Sequence, residues 1–89
     1  MYLAKVIGNV VSTSKDERLV GFKLLLVRRL NELHELVGVP EVCVDTVGAG
    51  NGETVIVTKG SSARFAADRQ SSPIDSTIVG IVDTVEIEA

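Results

Sequence analysis

The chain has 89 residues and a formal net charge of −3, and 45 % of its residues are hydrophobic, so it can build one small domain around a single core. The acidic balance argues against a nucleic-acid partner, because such a partner requires a positive surface that replaces counterions. The single cysteine, Cys43, excludes an internal disulfide, and the sequence shows neither a signal peptide nor an apolar run long enough for a membrane span, which together predict a cytoplasmic protein without a membrane partner.

Short runs of Val, Ile and Leu predict five β-strands, because β-branched residues favour strands and the runs are separated by glycines or charged turns. The strands are expected at residues 2–13, 22–30, 42–47, 53–59 and 77–87. Between the second and third strands, leucines at helical spacing leave room for one or two helical turns within residues 31–41, ended by Gly38 and Pro40, and we interpret the segment as an excursion between strands rather than a main element.

Two further connections have sequence patterns that predict their local structure. The stretch Gly48-Ala-Gly-Asn-Gly52 predicts a glycine-rich hairpin connection between strands three and four, and replacing Gly50 with Val should disturb it if φ is positive there. After strand four, Ser61 or Ser62 is expected to cap a short helix over residues 63–69. The expected fold is therefore mainly β: a five-stranded antiparallel OB-like β-barrel with one short helix between strands four and five.

Two of the predicted strands are apolar on both faces. In the second strand, Leu24 and Leu26 point one way while Leu25 and Val27 point the other, and residues 77–87 show the same pattern. A barrel of this size has only one interior. The second apolar face therefore predicts a homo-oligomer.

The glycines of Gly48-Ala-Gly-Asn-Gly-Glu53 invite comparison with a phosphate-binding loop. Such a loop needs a helix after its glycines, so that amide groups and the helix dipole point at the anion. Here Glu53 occupies the position of the last glycine, no Walker lysine is present, and a strand follows. We interpret the stretch as a tight turn on a barrel rim, where bare backbone lets subunits approach one another.

No other group of residues predicts chemistry. An anion could bind at the helix start beside Arg64, but a simple capped helix is favoured, and Arg64 is expected to pair with a carboxylate, for example one on a neighbouring subunit. His34 has no second histidine or cysteine with which to share a metal. Cys43, between two valines, fits a small buried hydrophobe.

The aspartates and the aromatic residues do not predict a site either. Asp45, Asp75 and Asp83 are interpreted as turn caps or inter-subunit hydrogen-bond acceptors rather than as an acid/base pair. Single-stranded nucleic acid would require aromatic side chains in a basic groove, and this chain has three aromatic residues and an acidic charge. We expect no catalytic, cofactor or metal site. The candidate assembly residues are Gly48, Ala49, Gly50, Asn51, Gly52, Glu53, Ser61, Ser62, Arg64, Pro73, Asp75 and Asp83.

Several segments resemble the vertex proteins of bacterial microcompartments, the family typified by EutN and CcmL and called BMC-P. The resemblance rests on Lys15 and on residues 5–13, 19–27, 44–53, 60–64, 73–75 and 79–83, in this order and at these spacings. It covers almost the whole chain.

The resemblance implies a five-stranded barrel that assembles into a homo-pentamer, although some members form hexamers outside a shell. Such pentamers cap the vertices of an icosahedral protein shell around metabolic enzymes, beside hexameric shell proteins, and have no catalytic activity of their own. Residues 23–29 and 79–84 look more like propanediol-type than carboxysomal members, with glycyl-radical-type compartments equally open. The alternative is a small oligomeric OB-like module that binds a ligand or peptide; an enzyme that uses Cys43 is a weaker one.

Overall fold

A computed structural model describes residues 1–88 and contains a closed barrel of five strands with one α-helix. The elements are β1 (Tyr2–Val10), a 3-10 turn (Glu17–Leu19), β2 (Lys23–Leu30), β3 (Leu36–Asp45), β4 (Thr54–Lys59), α1 (Gly60–Ala66) and β5 (Ser76–Val82). Around the barrel the strands follow the order β1-β2-β3-β5-β4, and β4 pairs with β1 to close the ring. The predicted fold class, a mainly β five-stranded barrel with a short helix between the last two strands, is confirmed.

One of the five strand contacts is parallel. β3 and β5 pair only through Val44 with Thr77 and Asp45 with Ile78, whereas the other four contacts are antiparallel. Because β3 neighbours β5 rather than β4, the glycine-rich segment between β3 and β4 is not a hairpin, and that prediction was wrong. The segment instead crosses one end of the barrel, since strand order is set by long-range packing and not by the local turn signal.

The segment between the second and third strands contains no helical turn, and the interpretation of residues 31–41 as an excursion is wrong from Leu36 onward, where β3 begins. The side-chain oxygen of Asn31 accepts hydrogen bonds from the backbone N–H groups of Leu33 (2.9 Å) and Glu35 (3.0 Å), and His34 adopts a left-handed conformation with φ of 59°. This side-chain-stabilised turn reverses the chain within a few residues, and β3 begins at Leu36. The leucines of this region are exposed on a β-hairpin instead of lining one face of a helix.

The boundaries of the helix and the last strand differ from those predicted. α1 begins at Gly60, which has φ of +64°, and no side chain caps it, so neither Ser61 nor Ser62 is a cap. A glycine in this conformation lets the chain turn directly from strand into helix. β5 ends at Val82, where its pairing with Thr54 ends, and residues 83–88 belong to no strand.

Two apolar clusters hold the fold together. The barrel interior contains Ala4, Val6, Leu25, Val27, Cys43, Ala49, Val55, Val57 and Ile78. The second cluster lies between α1 and the outside of the barrel and contains Val44, Ala63, Ala67 and Ile74, packed against Leu19, Phe22 and Leu24. The outward face of β2 is therefore partly covered within the chain itself, which the two-face argument from the sequence did not foresee. Among residues 1–88, no helix is long and apolar enough to cross a membrane.

The barrel interior predicts a large effect for one truncation. Leu25 is fully buried at the centre of the β1–β2–β3 sheet, so Leu25→Ala should reduce the free energy of unfolding by about 2–5 kcal/mol through lost burial and the cavity left behind. Val20, whose residue surface is 64 % exposed, provides the control, and Val20→Ala should change stability by less than about 0.5 kcal/mol. Urea denaturation followed by circular dichroism measures both, and equal losses would contradict this description of the core.

Candidate assembly interface

The segment 46–53, here called the rim loop, closes one end of the barrel. The Asp45 carboxylate accepts hydrogen bonds from the backbone N–H groups of Val47 (3.1 Å) and Ala49 (3.0 Å). The Lys23 ammonium donates to the backbone carbonyl of Ala49 at 2.7 Å. These bonds hold the Ala49 side chain fully buried inside the barrel, so that it plugs the opening between β2, β3 and β4.

The second half of the rim loop is tied to itself and to β1. The Gly50 N–H donates to the Glu53 side chain at 2.7 Å, and the Glu53 N–H donates back to the Gly50 carbonyl at 3.2 Å. Gly52 and Glu53 then bond the backbone of Val6, at 2.8 and 3.0 Å, which extends the β4–β1 pairing into the loop. The loop is thus a fixed surface, with Gly48, Asn51, Gly52 and Glu53 exposed on it.

Gly50 is not the conformationally required glycine of this loop. The expectation for Gly50→Val rested on positive φ, but φ is not positive at Gly50, and a Cβ there would lie 3.5 Å from the Glu53 carboxylate oxygen. Positive φ occurs instead at Gly48 (+79°) and at Gly52. The glycines correctly indicated a turn, but the sequence alone could not show which of them has positive φ.

The other candidate assembly residues lie mostly at the opposite end of the barrel. β4 runs from Thr54 at the rim loop to Lys59 beside α1, and β5 returns antiparallel to it. Ser61, Ser62, Arg64, Pro73 and Asp75 therefore belong to the end here called the helix end, whereas Asp83, which follows Val82, lies at the rim-loop end. The structure groups the twelve candidates into two separate surfaces.

Arg64 has a partner within its own chain. Its guanidinium donates to the backbone carbonyl of Ile74 at 3.2 Å, and the side chain is half-buried between α1 and the turn that precedes β5. The Asp75 carbonyl accepts from the Gly60 N–H at 2.9 Å, which fastens the same turn to the start of α1. Within the chain Arg64 bonds a carbonyl, and its expected pairing with a carboxylate of a neighbouring subunit stays a prediction, while Ser61, Ser62, Pro73 and Asp75 are exposed.

Sequence reasoning missed a polar cluster at the helix end to which every strand contributes one residue. The Tyr2 hydroxyl donates to one oxygen of the Glu41 carboxylate, and the Lys59 ammonium donates to the other at 2.7 Å and to the Ser76 hydroxyl at 2.7 Å. The Arg29 guanidinium stacks 3.8 Å from the centre of the Tyr2 ring. We call these residues the five-strand cluster. The only signal in the sequence was an isolated glutamate, Glu41, between Pro40 and the apolar run that begins at Val42.

The charges of the five-strand cluster reinforce one another. Burial raises the pKa of the Tyr2 hydroxyl above its ordinary value, and the bond to Glu41 acts in the same direction, so the phenol stays a neutral donor. Burial opposes ionisation of Glu41, but the hydrogen bonds from Lys59 and Tyr2 outweigh it and lower the pKa of this carboxyl. The hydrogen bond to Glu41 raises the pKa of Lys59. The pair is therefore fully charged at neutral pH.

The residues considered for catalysis are not arranged for it. Burial raises the pKa of the Cys43 thiol to about 12, so the thiol is protonated at neutral pH inside the barrel. His34 lies in the exposed turn between β2 and β3. Among residues 1–88, no three His, Cys, Asp or Glu side chains converge as metal ligands would.

The rim loop generates a prediction with a matched control. Gly48→Ala should lower the free energy of unfolding by about 1–2 kcal/mol, because an L-residue is strained at φ of +79° even though no atom lies within 4 Å of the added Cβ. Gly50→Ala introduces the same methyl group two residues away without positive φ and should cost clearly less. Thermal and urea denaturation compare the two variants. A larger loss for Gly50→Ala would refute the assignment of the strained glycine.

Glu41 predicts a pH dependence of stability. Its folded-state pKa is lowered, so its contribution is fully present above the unfolded-state pKa of about 4.3 and is lost as pH falls through the lower folded-state pKa. Glu41→Gln should therefore destabilise the protein at pH 7 and flatten the loss of stability on acidification. Glu32→Gln, which removes an exposed carboxylate from a turn, is the matched control. Urea midpoints measured from pH 7 down to pH 2.5 test this, and an unchanged profile for Glu41→Gln would contradict it.

Comparison with known proteins assigns this architecture to a family. The sequence profile of the family described as "Ethanolamine utilisation protein EutN/carboxysome" matches residues 1–83. The chain is 63 % identical to the bacterial microcompartment shell vertex protein GrpN of Rhodospirillum rubrum, covering 97 % of each protein. It is 52 % identical to the shell vertex protein PduN of Salmonella typhimurium, covering 96 % of this chain and 98 % of PduN.

Two further comparisons place the fold. The carboxysome shell vertex protein CcmL of Synechocystis is 48 % identical to this chain, over 98 % of this chain and 87 % of CcmL. The structure of GrpN from Rhodospirillum rubrum, described as a pentameric microcompartment shell protein, superimposes with a TM-score of 0.89 and 61 % identity over the whole of both chains. The resemblance predicted from the sequence is thereby confirmed, and the chain belongs to the EutN/CcmL family of microcompartment vertex proteins.

Proposed function

We propose that this chain is a structural shell subunit whose pentamers cap the vertices of a bacterial microcompartment shell. The observation that carries the proposal is the agreement with pentameric GrpN over the full length of both chains, at 61 % identity. With the same fold and most of its side chains identical, this subunit can present the same kind of contact surface to its neighbours. Its place in the cell would then be the microcompartment shell in the cytoplasm.

The surface of the single chain supports assembly. The β2–β3 hairpin exposes Leu33, Leu36, Val39 and Val42, and Ile7, Val11, Phe65 and Ile87 are exposed elsewhere. Exposed apolar side chains concentrated on one hairpin mark a surface that a partner covers, because they gain free energy when removed from water. A cyclic pentamer needs two different, complementary surfaces on each subunit, since its interface is heterologous.

The rim loop suits the region where subunits approach most closely. Its polar groups are largely bonded within the chain, and its exposed Gly48 and Gly52 have no side chains that would keep a neighbour away. We assign Gly48, Asn51, Gly52 and Glu53 to contacts between copies of this chain. The exposed Ser61, Ser62, Pro73 and Asp75 at the helix end are assigned to contacts with the surrounding shell proteins, which we expect to be hexameric.

The proposed role is structural and non-enzymatic. Its support is that the family relatives are shell vertex proteins and that Cys43, the one candidate nucleophile, is buried with its thiol protonated. The higher identity to GrpN and PduN than to CcmL favours a metabolosome shell over a carboxysome. No nucleic acid is expected as a partner of this acidic chain.

The oligomer and its role in the shell are tested separately. Native mass spectrometry of the isolated chain should give a species of about 47.5 kDa, five times the 9.5 kDa of the chain, and the same measurement distinguishes a pentamer from a hexamer. Co-expression with hexameric shell proteins should give closed shells that become open or irregular when this chain is omitted. A chain that remains monomeric at micromolar concentration, or shells that close equally well without it, would overturn the proposal.

A further inference from the structure

The last described residues have a strand-like sequence but no strand partner. Residues 83–88, here called the acidic tail, alternate the apolar Val85 and Ile87 with polar or acidic residues, which is the pattern of a half-buried strand. The pairing of β5 with β4 nevertheless ends at Val82, and the Ile87 residue surface is 61 % exposed. Val85 is half-buried, whereas Ile87 near the far end of the tail has no surface among residues 1–88 of its own chain that covers it.

The helix end of the barrel carries a groove whose charge and polarity complement those of the acidic tail. A cavity of 240 Å³, here called the hairpin groove, is lined by Tyr2, Arg29, Val37, Val39, Glu41 and Lys59. Val39, 80 % exposed, and Val37 provide an apolar wall, while Arg29 and Lys59 provide two cations against the single charge of Glu41. The groove is therefore apolar along one side and net positive along the other.

The hairpin groove follows an open strand edge. β3 pairs with β5 only at Val44 and Asp45, so its edge is free from Leu36 to Cys43. Within this edge, residues 38–40 bulge out opposite Arg28 alone, and Pro40 lacks an N–H donor. Such an edge resists continuous strand pairing, so an extended segment would be held mainly by its side chains.

The acidic tail and the hairpin groove are complementary in charge and polarity. Asp83, Glu86 and Glu88 give the tail three negative charges, and the groove has Arg29 and Lys59 with Arg28 nearby on β2. Val85 and Ile87, on the same face of an extended chain, are spaced to contact Val37 and Val39. The sequence pattern of the tail thus matches the groove in both respects.

A tail cannot reach the groove of its own chain. β3 and β5 are parallel, with Asp45 opposite Ile78, so Val82 lies about 13 Å beyond that pair in one direction and Val39 about 20 Å from it in the other, at roughly 3.3 Å per residue. The five residues from Asp83 to Ile87 span at most about 18 Å when extended. The roughly 33 Å between Val82 and Val39 therefore exceeds the reach of the tail, and a second copy must supply the groove.

We propose that the acidic tail of each subunit lies in the hairpin groove of the next copy around the ring. This inference rests on the proposed function, because it requires the chain to form a closed oligomer. Tail and groove are two different surfaces at opposite ends of one molecule, so their contact is heterologous and closes when the ring is complete.

Disulfide trapping tests the contact directly. A chain carrying Val39→Cys and Ile87→Cys should, under mild oxidation, give a ladder of covalent species up to the pentamer on a non-reducing gel. Each single variant should stop at minor dimers, because one cysteine per chain cannot extend a chain of disulfides. Cys43 is fully buried and takes no part. The matched control is Val20→Cys with Ile87→Cys, which places the first cysteine at an exposed valine outside the groove and should give no ladder.

The outcomes separate this inference from the proposed function. Suppose that native mass spectrometry shows pentamers but the Val39/Ile87 pair gives no more covalent ladder than the Val20/Ile87 pair. This result would overturn the tail contact and leave the vertex role intact. Wild-type chain that stays monomeric would overturn both. Glu86→Lys with Glu88→Lys provides a second readout, since reversing the tail charge at two exposed positions should raise the concentration for half-dissociation at low salt by at least tenfold while the fold, followed by circular dichroism, is unchanged.

Discussion

Closure of the barrel depends on the short parallel contact between β3 and β5 and on the side chains that extend it. β3 and β5 share only two residue pairs, and because β5 begins at Ser76, β3 has no strand neighbour among residues 1–88 on this edge farther toward the helix end. There Glu41 accepts from both Tyr2 and Lys59, and Lys59 also reaches Ser76, so that side chains complete the contact that backbone pairing leaves open. An exposed ion pair alone contributes little to stability. The phenol bond and the partial burial of the Glu41 carboxylate make this contact stronger than a surface pair, because the two donors act on one ionised acceptor.

At the other end, the rim loop closes the barrel through hydrogen bonds to its backbone groups. Asp45, the last residue of β3, uses both carboxylate oxygens to fold the loop inward, and Ala49 then fills the barrel opening. Above the same seam, the Thr46 hydroxyl donates to the Ile78 carbonyl at 2.7 Å, which fixes the loop to β5. Each end of the barrel is thus closed within one chain. Neighbouring copies are not needed to complete the core, and they can meet preformed surfaces.

Local patterns in the sequence were sufficient for the strands but not for their arrangement. Alternation grouped Leu25 and Val27 on one face, which is the barrel interior, and the β-branched runs located β4 closely and the start of β5 within one residue, but not the end of β5. The interpretation of residues 31–41 was wrong because the Asn31 side chain stabilises a tight turn. The leucines that follow it face solvent and do not form the buried face of a helix. The parallel β3–β5 contact and the five-strand cluster join residues that are far apart in sequence. No local period encodes them, so neither could be predicted.

The sequence argument for an oligomer gave the right conclusion from an incomplete premise. It counted every second apolar face as a surface for a partner, but Leu24 is covered by the cluster beneath α1, and Thr77 on β5 bonds the Ala63 carbonyl of that helix at 2.8 Å. Much of the uncovered apolar surface lies instead on the β2–β3 hairpin, and Ile87 of the acidic tail is exposed at the opposite end of the molecule. Two unlike surfaces at opposite ends can pair reciprocally in an antiparallel two-fold dimer or head to tail in a ring, where each contact joins one surface of each kind. The position of these surfaces is therefore compatible with a ring, and the pentameric structure of GrpN, at 61 % identity to this chain, is what favours a ring over a dimer.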